Sequence, residues 1–147
     1  MDLFEQLIIA IKQLQELTSE VTKPTDPDDI PDSYVYLLFM IVRKGRIKTI
    51  EISEYFSLTP GAATAVADKL ERMGLISRTR DTKDRRISWI ELTDAGMEYV
   101  NRRKGEHIEM FGKILKGYTE DELLVTVQTL NRLSESILSY QNGKEEL

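Results

Sequence analysis

The chain has 147 residues, 41% of them hydrophobic and 31% charged, enough to bury a core as one domain or as a small domain with an appended interface, without a metal or disulfide staple. It has no cysteine, which excludes disulfides, thiol sensing and cysteine-ligated zinc, and a single histidine, His107, so no histidine metal cluster can form within one subunit. The formal charge is −5, yet residues 43–93 hold 11 Lys/Arg against 7 Asp/Glu, a basic centre that can meet phosphate because counterion release depends on local contacts.

The N-terminal stretch LFEQLIIAIKQLQEL places Leu3, Leu7, Ile11, Leu14 and Leu17 on one helical face, widened by Phe4 and Ile8, and predicts a helix over residues 2–20. Asp2, Glu5 and Lys12 interrupt it, so it reads as neither a signal peptide nor a membrane span; with the absence of cysteine, a cytoplasmic protein is expected. The segment TKPTDPDDIPD, rich in proline and aspartate, ends that helix as a loop. A second helix is expected over Ser33–Lys44, apolar almost all round and therefore buried, with Gly45 as its C-terminal cap.

Thr49 is placed as the cap of a short helix carrying Ile50, Ile52, Tyr55 and Phe56, too few apolar positions for independent stability. After the turn SLT, Thr59 caps a helix with Pro60 at its first position, where the missing N–H costs nothing. That helix runs to Met73, buries Ala63, Val66, Ala67 and Leu70, and stops at Gly74. Two helices joined by a three-residue turn form the helix-turn-helix arrangement. The runs LISRTR and ISWIEL then flank DTKDRR, a β-hairpin with a charged tip. Thr93 caps a long helix ending near Gly117, and TEDE, with Thr119 and Glu122 in capping-box spacing, opens a last helix to about Tyr140 with an apolar stripe at Leu123, Val127, Leu130, Leu133 and Ile137.

The element order and the stretch DKLERMGLISRTRDTKDRRISWIELTDAG, Asp68 to Gly96, resemble the MarR family of winged-helix regulators. The resemblance lies in a helix end LE-x-x-GLI-x-R, a wing D-x-x-D-x-R and a following LT-x-x-G. The fold class it implies is mainly α with a small β-hairpin wing (α+β): a winged helix-turn-helix DNA-binding domain over residues 31–93 and a helical dimerisation region over residues 1–30 and 94–147. It also implies a symmetric homodimer on a pseudo-palindromic operator in double-stranded DNA, repression as the mode of regulation, and a ligand crevice for a small-molecule effector where the dimer helices meet the DNA-binding lobe.

The expected DNA-binding residues fall in two groups. At the hairpin tip, Arg86 reads a narrow minor groove, since arginine is permanently charged and weakly hydrated. The resemblance makes Asp84 the residue that orients it, with Arg85 and Lys83 beside it. In the helix-turn-helix, Ser57 and Thr59 are candidates for phosphate, and Pro60, Gly61, Ala62, Thr64, Ala65 and Lys69 form the exposed face of the recognition helix. That face holds no Arg, Asn or Gln for bidentate base contacts, so modest direct readout is expected, with more reliance on shape and backbone contacts. RKGRIK, Arg43 to Lys48, offers four more positive charges that fit phosphate positioning and a solvated loop equally well.

Against these stand plainer readings: a solvated tip with internal ion pairs, Tyr34, Tyr36 and Tyr55 as packing rather than ligand-lining residues, Trp89 as packing for the wing, and His107, Glu106 and Glu109 as a solvated helix face. No nucleophile–base signature, phosphate loop or carboxylate cluster stands out, so neither an enzymatic activity nor a cofactor is expected. The rival function is a winged-helix protein-interaction module without sequence-specific DNA binding, favoured by the small uncharged face of the 60–73 helix and opposed by the charge density of the wing.

Overall fold

A computed structural model describes residues 1–145, and the chain divides into one compact unit from Met1 to His107 and a second that begins at Ile108. The first helix, α1 (Leu3–Val21), starts where the Asp2 carboxylate accepts the N–H groups of Phe4 and Glu5 at 2.6 and 3.2 Å. It buries none of its residues: Leu3, Phe4, Ile8, Leu14 and Leu17 are all more than half exposed. Helix α2 (Asp32–Lys44) does the opposite. Val35, Leu37, Leu38 and Ile41 are buried on one broad face of it, while Tyr36 and Val42 are exposed, so the helix is not buried all round as expected; Gly45 closes it at φ +82°, a positive value that favours glycine.

The next elements are β1 (Ile47–Lys48), α3 (Thr49–Phe56), α4 (Pro60–Arg72), β2 (Ile76–Arg80), β3 (Ser88–Leu92) and α5 (Asp94–Ile114). The strands form an antiparallel sheet in the order β1-β3-β2, with Ile47 opposite Ile90 and Arg78 also opposite Ile90 from the other side. The wing is therefore a three-stranded sheet and not a hairpin alone. A two-residue strand has no periodicity to read; β1 exists because β3 offers it a ladder. The cap of α3 also differs from expectation. Lys48 is the N-cap and Thr49 the first helical residue, and the Glu51 carboxylate reaches back to the Lys48 N–H at 2.6 Å.

Ile90 on β3, Ile47 on β1, Leu70 and Ala67 on α4, Ile52 on α3 and the buried face of α2 make one core, to which α5 adds Val100. Each fully buried Leu or Ile side chain here contributes about 1.5–3 kcal/mol from removal of apolar surface from water. The helices end and turn where backbone and side chains permit. Gly74 sits at φ +74°, and Gly96 lies so close to the chain that an added Cβ would stand 2.0 Å from the Leu75 carbonyl oxygen. No other residue fits at 96 without displacing that backbone.

One buried charge was not legible in the sequence. Arg103 on α5 is 1% exposed; its guanidinium donates to the Ile30 carbonyl at 3.0 Å and the Tyr99 hydroxyl at 2.9 Å, and lies 3.5 Å from Asp32. Tyr99 in turn accepts the Ile30 N–H and donates to Asp29, which also takes Arg102 at 2.6 Å. Thr22, buried at the end of α1, donates to the second oxygen of Asp32 at 2.9 Å. His107, expected on a solvated face, is half-buried instead, its Nε2 3.3 Å from Asp32. The proline- and aspartate-rich loop is thus tied to α5 by polar bonds, with Ile30 its one side chain in the apolar core.

In the second unit, α6 (Glu120–Glu145) opens with the expected capping box: Glu122 accepts the Thr119 N–H at 2.8 Å and Thr119 Oγ1 accepts the Glu122 N–H at 3.1 Å. The helix runs further than expected, to Glu145, and leaves Leu124, Val127, Leu130 and Ile137 exposed. Among the described residues no helix is long and apolar enough to cross a membrane.

Removing the buried guanidinium by Arg103→Leu leaves Asp32 and the Ile30 carbonyl without their partner and should cost about 3 kcal/mol. Gly96→Ala should cost about 1–3 kcal/mol through overpacking. Both are read from urea unfolding midpoints at constant m; midpoints at the wild-type value would refute the assigned roles.

Candidate nucleic-acid interface

The turn between α3 and α4 is short because Ser57 takes the left-handed conformation, φ +53°, letting the Leu58 N–H return to the Ser53 carbonyl at 2.9 Å. Thr59 then accepts the Ala62 N–H at 3.2 Å, and Pro60 begins the helix. The positive end of α4 therefore points outward beside the exposed Ser57 and Thr59, a geometry suited to an anion. Pro60, Gly61, Thr64, Ala65 and Lys69 are exposed along α4, whereas Ala62, expected in that exposed set, is half-buried. Thr64 Oγ1 donates to the Pro60 carbonyl at 3.0 Å, which commits its hydrogen and leaves its lone pairs to accept. The Lys69 ammonium lies 5.6 Å from the Tyr34 ring centroid.

The five basic residues between 78 and 86 divide sharply. Arg78, on β2, is turned back to α4, where it binds Glu71 at 2.9 Å and Asp68, and is spent on holding wing to helix. Arg80 donates to the Arg85 carbonyl at 2.8 Å and braces the turn. Lys83, Arg85 and Arg86 remain on the exposed tip, with the Arg86 side chain 91% exposed. Asp84 accepts the Arg86 Nε and backbone N–H at 3.1 Å each, and Nη2 at 3.3 Å. The pair that the resemblance named thus meets, the carboxylate beneath the guanidinium it steers.

Asp81 organises the turn from inside. One carboxylate oxygen accepts the N–H groups of Lys83 and Asp84 at 3.1 and 2.9 Å, and the other accepts the Trp89 indole N–H at 3.1 Å. The backbone closes around it, with Asp81 N–H on the Ile87 carbonyl at 2.9 Å and Ile87 N–H on the Asp84 carbonyl at 3.0 Å. The sequence alone points to packing for Trp89 and to no role for Asp81. The signal available was an aspartate three residues before a second one in a turn, a spacing that lets a side chain collect backbone N–H groups.

The RKGRIK segment also divides. Lys44 pairs with Glu51 at 2.9 Å, and the Arg46 guanidinium stacks on the Trp89 ring, its carbon 3.8 Å from the centroid, with the Lys48 ammonium at 5.4 Å. Arg46 is thereby placed beside the wing on an aromatic face rather than loose in a loop. Of the three tyrosines, Tyr34 is half-buried and packs edge-on to Phe56 at 5.5 Å; Tyr36 and Tyr55 are partly exposed. Burial, then the charge of Asp32, pushes the Tyr36 hydroxyl above its ordinary pKa, and burial does the same at Tyr55.

Hydrogen bonds hold both wing aspartates below the usual carboxylate range: the Asp84 N–H, the indole and the Lys83 N–H at Asp81, and the Arg86 side chain and N–H at Asp84. A depressed folded pKa adds stability that is fully present above the ordinary Asp value of about 3.9 and is lost as pH falls through the folded value. The wing turn should therefore keep its amide chemical shifts at Lys83 and Asp84 from neutral pH down to about 4 and change them only below it. Shifts that titrate with a midpoint above that value would contradict the geometry.

Residues 33–88 match the family model described as MarR family. Over 122 residues the chain is 28% identical to the HTH-type transcriptional repressor MdtR of Bacillus subtilis (strain 168), covering 83% of this chain and 79% of that relative. Among solved structures, the YusO protein from Bacillus subtilis is 26% identical, with a TM-score of 0.64 over 89% of this chain and 96% of its own. A mutant of MarR from E. coli, solved in complex with operator DNA, is 22% identical, with a TM-score of 0.65 over 90% of this chain and 99% of its own. The matched segment runs from the start of α2 through the wing tip that carries Asp84 and Arg86, and over this segment the chain matches the MarR family.

Proposed function

We propose that the protein is a transcriptional regulator of the repressor type that binds pseudo-palindromic operator DNA as a homodimer in the cytoplasm, with no catalytic activity of its own. The observation that carries this is the sorting of charge at the wing. Arg78 and Arg80 are used internally, while Lys83, Arg85 and Arg86 are held outward by a turn that Asp81 and Asp84 build. A loop that was merely solvated would have no reason to hold an arginine on a carboxylate splint at 91% exposure. The relative MdtR is named a repressor and the E. coli MarR variant was solved on operator DNA; both are consistent with this reading.

In this reading α4 enters the major groove with Thr64 and Ala65 toward the bases. Ser57, Thr59, Pro60 and Gly61 approach a phosphate at the helix N-terminus, and Lys69 sits at the groove edge. Ala62, half-buried, contributes less than its neighbours. Thr64 offers only acceptor lone pairs, so it pairs with a base donor. Sequence preference then rests on the wing: Arg86 in a narrow minor groove, oriented by Asp84, flanked by Arg85 and Lys83 on phosphates. The second copy is called for by α1, nineteen residues that bury nothing within the subunit. A small-molecule effector would act by favouring lobes spaced differently from those that fit the operator, and could weaken DNA binding only by its differential affinity for the two states.

Fluorescence anisotropy with A·T-rich and G·C-rich duplexes over a salt series tests the reading. Wild-type protein should bind the A·T-rich duplex more tightly, with log affinity falling linearly in log salt. Arg86→Ala should weaken it about tenfold or more, at about 1–3 kcal/mol per arginine, and cut the A·T preference. Unchanged binding by the variant would remove the wing from recognition. Absence of salt-dependent binding to any selected genomic fragment would favour a protein-interaction module. A stable monomer by sedimentation at micromolar concentration would overturn the dimer.

A further inference from the structure

Trp89 is the one large aromatic side chain of the wing, and the DNA-binding reading above leaves it without a task. Its position is fixed from several sides. In the sheet it stands opposite Lys48 on β1 and Thr79 on β2. The Arg46 guanidinium covers its ring at 3.8 Å, which limits rotation of the indole. Its N–H reaches Asp81 at 3.1 Å. The second oxygen of Asp81 takes the Lys83 and Asp84 N–H groups, and Asp84 takes Arg86. A continuous run of contacts therefore leads from the rigid sheet to the exposed guanidinium: Trp89, Asp81, the Asp84 backbone, the Asp84 carboxylate, Arg86.

We propose that Trp89 is a positioning residue for DNA recognition, acting through Asp81 to fix the direction in which Arg86 leaves the wing. The inference rests on the DNA-binding reading of Arg86. Trp89 needs no contact with DNA. A six-residue tip without this clasp would sample many orientations, and binding would have to order it at the moment of contact. Clasped to the sheet, it presents Arg86 already ordered, which lowers the entropic cost of association. An indole is suited to this where phenylalanine is not, because only it combines a face for Arg46 with an N–H donor at its edge.

The test is a double-mutant cycle on DNA affinity with Trp89→Phe and Arg86→Ala, since phenylalanine keeps an aromatic face for Arg46 and removes the N–H donor. Trp89→Phe should weaken binding about fivefold in the wild-type background and have no further effect in Arg86→Ala. Equal losses in both backgrounds, or no loss in either, would overturn the proposal. Amide exchange gives a readout that needs no DNA: Lys83 and Asp84 should exchange faster in Trp89→Phe while Leu70 and Ile90 keep their protection. Unchanged exchange at Lys83 and Asp84 would overturn the clasp even if no duplex is bound, whereas faster exchange with no DNA binding by the wild type would leave the clasp standing and sink the DNA reading. If Leu70 and Ile90 lose protection in Trp89→Phe, Asp81→Ala, which leaves the ring in place, is read in the same way.

Discussion

The carbonyl of Leu75 is the point on which α4, the wing and α5 converge. It accepts the Thr93 N–H at 3.1 Å, and it lies against Gly96, where only a hydrogen side chain fits. Thr93 also donates its hydroxyl to the Gly74 carbonyl and accepts the Gly96 N–H at 3.0 Å. The end of α4, the start of β2, the end of β3 and the start of α5 are thus fastened within a few residues. Because Arg78 ties β2 back to Asp68 and Glu71, helix and wing form one body rather than a helix with a loose hairpin. The proposed reading of two adjacent grooves needs that, since an error in the angle between α4 and the wing would place one of them on solvent.

Charge in this protein is informative by what each group is bound to, not by its sum. A net charge of −5 says little about a chain in which two of the wing's five cations are neutralised or spent on structure and three are pushed outward. The aspartates do the sorting. Asp81 collects backbone N–H groups and an indole and Asp84 collects a guanidinium, so the carboxylates that offset part of the tip's charge also fix where its cations point. The same logic runs at the other side of the fold, where Asp29 and Asp32 accept Arg102, Arg103 and Thr22 and so fasten a loop that has almost no apolar residue except Ile30 to bury.

Local signals were legible in the sequence. The caps Thr59, Gly45 and Thr119 with Glu122, the stripe of Ala63, Val66, Ala67 and Leu70, and the wing between two β-rich runs all depend on residues within a turn or two of one another. What was not legible depends on partners distant in sequence. Arg103 bonds to Ile30 from 73 residues away, so no window on α5 could tell it from a solvated arginine. β1 is a strand only because β3 lies beside it, and Lys48 displaces Thr49 as cap because that strand runs directly into the helix. At the interface the acidic–basic tip was readable as a motif, while the Arg46–Trp89–Asp81 clasp needed three dimensions. The modest exposed face of α4 was readable in composition; only the structure shows that Thr64 has already spent its hydrogen and that Ala62 is half-buried.

The central claim is that the wing tip lies in the minor groove of bound DNA. The chain has no cysteine, so Thr82→Cys, at an exposed position of the tip, can carry a single DNA-cleaving iron chelate. On a duplex selected from genomic fragments, cleavage is expected at two positions symmetric about the site centre, with the 3′-shifted offset between strands that marks attack from the minor groove. Cleavage with the opposite offset, or none on a fragment the labelled protein binds, would contradict it.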